Sequence, residues 1–244
     1  MIIVGPERRE SCERLATRLR AFCCSARDIA SSDVLKRYIA ATETLVVNYG
    51  GKYQEAKLNA SVNTDKLAAM RKMKEGGLQV PNFYIRGETV PERDFPVMAR
   101  TATHSNGRDI IMVNNDALLS RVSYDLAVQY ISKDAEYRVH ILKGPGDSEK
   151  HRIYLKSNVN PDADNTVCSD DSWRHLRYDE ERYPRYSDAL LNLARTAVTA
   201  LGYDFGAVDI IRKGDNFYVL EVNSGPWLNA DLVELYATYL EDWR

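Results

Sequence analysis

Apolar positions along the chain repeat with two different periods, and the switches between them sketch the elements. A short apolar run at 1–4 stops at Gly5-Pro6 and reads as a strand. Residues 7–22 then place Leu15, Leu19 and Phe22 four and three apart, the spacing of a helix face. A second strand at 44–48 ends at Tyr49-Gly50-Gly51, so the first sixty residues predict a small βαβ lobe. No Gly-x-Gly-x-x-Gly follows the first strand, which argues against a dinucleotide site. Residues 64–77 predict a well-punctuated helix. Thr64 or Asn63 is a good N-cap, Asp65 suits the positive end of the dipole, and Gly76-Gly77 supplies the stop. Leu78-Gln79-Val80-Pro81 then leads into an extended stretch through Tyr84.

The second half of the chain is richer in period-two segments. Strands are predicted at 95–100 and 109–113. The polar loop 101–108 between them either offers N–H groups and hydroxyls to phosphate or is an ordinary hairpin loop. A strand at 126–131 ends at Ser132. Residues 136–143 and 152–156 alternate as half-buried strands do, and Glu136, Arg138 and His140 share one face, as in a salt-bridged ladder. The stretch 158–186 is the least regular. A helix over 187–202 has Ser187 as its cap, an apolar stripe from Leu190 to Leu201, and Gly202 at its end. The tail from 227 reads as an amphipathic helix with Leu232, Leu235, Tyr236 and Leu240 inward.

Between those helices, residues 204–226 predict a β-hairpin about the polar turn Lys213-Gly214-Asp215-Asn216, with Val208, Ile210, Phe217 and Val219 as strand formers. A hairpin of this length brings Asp209 close to Glu221, and Glu221 and Asn223, two apart, point to the same face. Two readings stand side by side: a wet surface face, or three hard oxygen ligands suited to Mg²⁺. The carboxylates interrupt very apolar strands, where an unpaired charge is costly.

Composition narrows the classes. A chain of 244 residues, 44% apolar and 28% charged, is globular and long enough for a large core. A net charge of −2 provides no general attraction to nucleic acid or membranes. No apolar run approaches the roughly 18 residues of a membrane span, and the N-terminus has no signal-peptide pattern. Cys12, Cys23, Cys24 and Cys168 lack zinc-like or redox spacing, so reduced thiols in a cytoplasmic protein are expected. No Ser/His/Asp or Cys/His arrangement points to a side-chain nucleophile.

The run Leu220-Glu221-Val222-Asn223-Ser224-Gly225-Pro226, with Asp209 a dozen residues upstream, resembles the Glu-Val-Asn-x-x-Pro close of the ATP-grasp carboxylate–amine ligases. Further matches follow in family order over 63–228. They are Asp65-Lys66-Leu67 before Gly77-Leu-Gln-Val-Pro81, Phe95-Pro-Val-Met-Ala-Arg100 with its loop, Gln129-Tyr130-Ile131, and Glu136-Tyr-Arg138. The resemblance is to ribosomal-protein glutamate ligases and to compact phage-type members. It implies an α+β (α/β) fold in which two α+β subdomains, 63–131 and 132–244, clamp ATP, with 1–62 as a small N-terminal α/β lobe. It further implies an ADP-forming ligase that passes through an acyl phosphate to an amide. ATP and Mg²⁺ (two ions, replaceable by Mn²⁺) would be the cofactors, and a small-molecule, peptide or protein carboxylate and an amine the substrates. The setting would be the cytoplasm of a bacterium or of a phage's host.

The same resemblance assigns roles. Lys66 and Arg100 contact the nucleotide phosphates, and Ser105, Asn106 and Gly107 cover them. Gln129, Tyr130 and Ile131 read the adenine edge. Arg138 faces the γ-phosphate and the carboxyl substrate as the catalytic residue. Asp209, Glu221 and Asn223 hold the metal, and Asn158, Arg174 and Arg177 are substrate candidates. Two departures from the pattern stand out: Arg100 replaces the second lysine, and only Gly107 remains of the loop glycines. Arginine keeps the charge and can grip phosphate in a bidentate way. Functions of other classes also fit the residues: a Mg-ATP-binding module without turnover, or a kinase using the same metal site.

Overall fold

The computed structural model describes residues 1–6, 10–61, 65–101, 110–158 and 173–243, without the side chains of Asn158 and Trp173. Among them the chain forms three sheets. The N-terminal lobe holds β1 (Ile2–Gly5), α1 (Glu10–Leu19), β2 (Phe22–Ser25), α2 (Ala26–Ser31), α3 (Asp33–Ala41) and β3 (Val46–Asn48), with parallel strands in the order β2-β1-β3. The lobe is larger than the expected strand–helix–strand. α1 ends at Leu19, Arg20 takes the left-handed conformation (φ 51°), and Phe22 opens an edge strand instead of closing a helix face. That reversal carries β2 back along α1, and Cys12 and Cys23 form a disulfide across it, their Cα atoms 6.5 Å apart. The expectation of reduced thiols is therefore corrected for this pair. Linear spacing could not reveal it, because the pairing depends on the reversal. Cys24 is buried and outside the disulfide, and Cys168 lies outside the described residues.

α4 (Lys66–Glu75) leads into the middle sheet. Its cap is Asp65, whose carboxylate accepts from the Leu67 and Ala68 N–H groups at 2.9 and 3.1 Å, while Thr64 and Asn63 lie outside the described residues. Gly76 and Gly77 (φ 78°) end it as expected. β4 (Phe83–Ile85), β5 (Val97–Arg100), β6 (Ile111–Val113), α5 (Asp116–Leu119) and β7 (Leu126–Gln129) follow, with the strands antiparallel in the order β4-β7-β5-β6.

The third sheet, antiparallel throughout, runs β10-β9-β8-β11-β12: β8 (Ala135–Lys143), β9 (Glu149–Asn158), β10 (Trp173–Arg177), β11 (Phe205–Lys213) and β12 (Asn216–Asn223). Part of the stretch expected to be irregular is thus a paired edge strand, β10. α6 (Pro184–Ala200) starts three residues before the expected cap. Pro184 has no N–H to satisfy and a φ already set for the first turn, and Ser187 sits inside, its hydroxyl donating to the Tyr183 carbonyl at 3.0 Å. α6 and α4 cover one face of this sheet, burying Met70, Met73, Leu190, Ala194, Val198, Val208, Ile210 and Val219 in one core. α7 (Ala230–Glu241), capped by Asn229, covers one end of the other face together with α1, through Leu142, Phe205, Leu232 and Tyr236.

The N-terminal lobe is fastened to this end of the sheet. The Asn59 side chain accepts from the Asp204 and Phe205 N–H groups at 2.8 and 3.2 Å and donates to the Phe205 carbonyl at 3.1 Å. Gly225 lies so near Gly50 that an added Cβ would stand 2.7 Å from the Gly50 Cα. The uncovered remainder of that sheet face looks toward the middle sheet, and the chemistry-bearing side chains gather there.

Candidate active site

Opposed residues of an antiparallel pair point to the same side. The register sets Arg138 beside Asp209 and Tyr154, Glu136 beside Lys156, and Lys156 beside His175. Asp209 in turn opposes Glu221, and Ala207 opposes Asn223. A β-bulge falls immediately after, at Asp209/Ile210, where the opposing strand steps from Glu221 to Val219. The extra residue, Leu220, lets Glu221 stay on the cleft side while Val219 returns to the core. The bulge therefore allows one strand to serve both faces.

Asp209 is 4% exposed and doubly engaged. Arg138 Nε and Nη2 donate to its two oxygens at 2.7 Å each, and Lys156 Nζ stands 3.4 Å from Oδ2. Burial by itself would raise its pKa, but the charges of Arg138 and then Lys156, with their hydrogen bonds, hold it well below the usual carboxylate range. Arg138 is shifted the other way. Burial opposes its charge, and the adjoining Asp209 carboxylate outweighs that and raises it. Glu136, also buried, makes close ion pairs with both Lys133 and Lys156.

Glu221 is half-exposed and lies between the two halves of the cleft. Its Oε1 accepts from Asn223 Nδ2 at 3.1 Å, and its Oε2 is 3.6 Å from Lys66 Nζ on the first turn of α4. Its charge also reaches Arg100, the last residue of β5. Burial lowers the pKa of Arg100 and Glu221 opposes that shift. Arg100 Nε is buried with no hydrogen-bond partner among the described residues. Lys66, Arg100, Lys133, Arg138 and Lys156 thus stand near Asp209, Glu136 and Glu221. Five cations against three carboxylates leave an excess of positive charge suited to a polyphosphate.

The donor set fits a hard divalent ion. Glu221 presents an accessible carboxylate. Asn223, by giving its NH₂ to Glu221, leaves its amide oxygen turned away from that bond. Asp209 keeps lone pairs beyond those used by Arg138, since an ionised carboxylate accepts about four hydrogen bonds.

Gln129, Tyr130 and Ile131 lie at and just beyond the C-terminal end of β7, an inner strand of the middle sheet. The Gln129 and Tyr130 N–H groups donate to the Asn82 and Pro96 carbonyls, both at 2.8 Å, and Gln129 Nε2 donates to buried Asp94 at 3.1 Å. The N–H groups of Gln129 and Tyr130 are therefore already used within the fold. Ser105, Asn106 and Gly107, with His104 and Arg108, lie outside the described residues. Arg177 shares the cleft face with Tyr154 and Arg138, whereas Arg174, opposite Ser157, is on the other face. Asn158 pairs with Trp173 through the backbone, and its side chain lies outside the description.

Lys133, Glu136 and Lys156 received no site role from the sequence. Strict alternation on β8 and β9 reads equally well as a wet face; the register shows Glu136 and Lys156 buried together, and Lys133, partly buried, joins them through its ion pair to Glu136. The same holds for a small cleft beyond Arg138, lined by His140, Tyr154, His175, Trp227, Asn229 and Leu232. Burial first, and the neighbouring Arg138 charge second, push the His140 pKa down to about 3 and that of His175 down to about 4, so both rings are neutral at pH 7.

No family model and no curated protein matches the sequence. The fold does match solved structures. A D-alanine–D-alanine ligase from Bacillus anthracis, complexed with ATP, superimposes with a TM-score of 0.64 at 15% identity, covering 99% of this chain and 93% of that one. The ATP-grasp ligase PsnB, complexed with a minimal precursor, matches over 100% of this chain and 98% of its own, with a TM-score of 0.61 at 12% identity. An N5-carboxyaminoimidazole synthetase from Staphylococcus aureus, complexed with ADP, matches over 93% and 70%, with a TM-score of 0.62 at 11% identity. The chain has the ATP-grasp fold.

Proposed function

We propose that this protein is an ATP-dependent, ADP-forming ligase that joins a carboxylate to an amine. One observation carries the reading: in an ATP-grasp fold, Lys66, Arg138, Asp209, Glu221 and Asn223, which lie far apart in sequence, converge on a single cleft face. Solved proteins of this fold include a D-alanine–D-alanine ligase with ATP bound.

A carboxylate is a poor electrophile. In the proposed reaction its oxygen attacks the γ-phosphorus and the bond to the β-phosphate oxygen breaks, giving an acyl phosphate and ADP. The amine nitrogen then bonds to the acyl carbon, inorganic phosphate leaves with the C–O electron pair, and the nitrogen loses its proton. Asp209, Glu221 and Asn223 would hold Mg²⁺, which supplies charge neutralisation at the phosphates. Lys66 and Arg100 bind phosphate oxygens from the α4 and β5 sides. Arg138 orients the carboxylate and stabilises the charge that builds on the moving phosphoryl group. Lys156 and Glu136 are positioning residues that fix Asp209, and Ile131 borders the adenine.

The test is ADP release from a panel of paired carboxylates and amines. The expected outcome is ADP, not AMP, only when both correct substrates are present, with a mass gain matching the amide. ADP formed with a phosphorylated hydroxyl would make the protein a kinase instead. Burial of Arg100, whose Nε has no partner among the described residues, in place of the family's lysine favours a second reading, a Mg-ATP-binding module without turnover. Tight Mg-ATP binding with no product across the panel would support that reading.

A further inference from the structure

The cleft beyond Arg138 contains groups that the ligase chemistry does not use. His140 is completely buried, and its Nε2 has no hydrogen-bond partner among the described residues; His175, half-buried, has an Nε2 in the same condition. Both rings line the cleft, and Tyr154 stands between them edge to face, 5.9 Å from His140 and 6.1 Å from His175. The Tyr154 hydroxyl is fixed by Asp231 at 3.1 Å, so the ring positions are set.

The hydrogen-bond arrangement assigns the His140 tautomer. Nδ1 is 3.1 Å from the hydroxyl of Tyr236, which is fully buried. If Tyr236 donates, Nδ1 accepts and the ring proton lies on Nε2, leaving one unpartnered donor. If Nδ1 donates instead, both the Tyr236 proton and the Nε2 lone pair are stranded. Buried polar groups are nearly always paired, so the first arrangement is favoured. Nε2–H of His140 is then a buried donor at the cleft wall, and leaving such a group unsatisfied is costly.

We infer that this cleft is a specificity subsite selecting a carboxylate substrate whose side group is small, uncharged and polar, such as a carboxamide or a hydroxyl. The inference deepens the ligase reading and rests on it: the reacting carboxyl lies at Arg138, and the side group lies against His140 and His175. Charged side groups fit poorly. An ammonium would face Arg138 in a cleft with no carboxylate among its described lining residues, and the nearby Asp209 and Asp231 are already engaged by Arg138 and Tyr154. A second carboxylate would need a cation of its own. Among the described lining residues the cation is Arg138, which already gives Nε and Nη2 to Asp209, and the imidazoles, neutral through burial and the Arg138 charge, supply none. A purely apolar group would leave the Nε2–H unpaired, and sites built around a hydrogen bond discriminate strongly against analogues that lack it.

The experiment uses the full chain, labelled with ¹⁵N in its histidine rings and saturated with Mg²⁺ and a non-hydrolysable ATP analogue. L-Asparagine, L-homoserine, L-aspartate, L-2,4-diaminobutyrate and L-leucine are titrated as probes of similar size. Asparagine or homoserine should move the His140 and His175 ring signals saturably, with a Kd at least roughly tenfold below those of the other three. In His175→Phe, which changes an edge strand and not the core, the nucleotide analogue should still bind while the tenfold preference disappears. Aspartate, diaminobutyrate or leucine binding as tightly as asparagine would overturn the subsite. So would ring signals unmoved by any probe while the nucleotide binds. Failure of the nucleotide analogue itself to bind would overturn the ligase reading and this inference with it, and that result is distinguishable from the others in the same sample.

Discussion

Asp209 and Glu221 are both carboxylates at the cleft, but their surroundings give them different tasks. Asp209 is buried and clasped by Arg138 and Lys156, whereas Glu221 is half-exposed and touches Lys66 at 3.6 Å. Asp209→Asn should therefore abolish turnover and also destabilise the fold by about 3–5 kcal/mol, because it leaves buried cations uncompensated. Glu221→Gln should abolish turnover with a stability change within about 0.5 kcal/mol. Denaturant melts of the two variants beside an ADP-release assay separate these outcomes. The pairing of Asp209 with Arg138 across neighbouring strands is what separates the two variants.

His140 gives the molecule a pH dependence of known sign. Its folded pKa, about 3, lies below the ordinary value near 6.5, because the ring is buried and faces Arg138, with His175 and Arg152 adding to the shift and Asp209 opposing it. The unfolded chain thus binds a proton that the folded chain refuses. Stability is full above about pH 6.5 and falls as the pH drops toward 3, with a slope approaching 1.4 kcal/mol per pH unit (roughly). Asp209, whose folded pKa is also depressed, adds a loss only under strong acid. Melting temperatures between pH 7 and 4 should fall in wild type and fall only about half as steeply in His140→Gln, because His175, held down to about 4, keeps its own share of the loss.

Among the elements, the hairpin β11–β12 was the most legible. The polar turn, the Asp209–Glu221 opposition and the shared face of Glu221 and Asn223 all follow from period-two patterning and the turn chemistry of Gly214 (φ 59°). The bulge also had a signature. Phe217 and Val219 are two apart, but the next core residue is Val222, three further on, which strict alternation forbids. β10 was missed because an edge strand with Arg174 and Arg177 exposed has no buried face to print a pattern. β2 was missed because Phe22 continues the spacing of the α1 stripe although it is itself 54% exposed. The cap of α6 was misplaced because Pro184 and Ser187 are both legitimate starts, and only packing decides between them. At the same scale, Gly225→Ala should push the segment after β12 away from Gly50. A backbone contact of 2.7 Å cannot be relieved by a rotamer change. A loss of about 1–3 kcal/mol is expected, read by thermal melts together with a weaker Mg²⁺ requirement profile, since Gly225 follows Asn223 by two residues.

For the whole molecule, the cleft brings Lys66 of α4 and Arg100 of the middle sheet toward Glu221 of the third. A ligand that bridges the sheets stabilises the folded state by mass action. Mg-ATP at a hundred times its Kd should add about 2.7 kcal/mol, or roughly 5–10 °C in melting temperature for a chain of this size. Lys66→Ala should reduce that gain at a fixed Mg-ATP concentration without lowering the melting temperature of the unliganded protein by more than about 1–2 °C, since the lysine is partly exposed and its ion pair is a long one. A scan of melting temperature against nucleotide concentration measures both.

The grip of one guanidinium on the aspartate bears on how the chemistry is armed. A solitary divalent ion arriving from solvent finds that acid already spoken for, and must compete with a fixed neighbour that never loses its charge. On the proposed reading, an ion escorted by a triphosphate would win a place through the extra bonds its phosphates make to Lys66 and Arg100. Magnesium chloride alone should then leave the melting curve where it was, and Mg-ATP should move it.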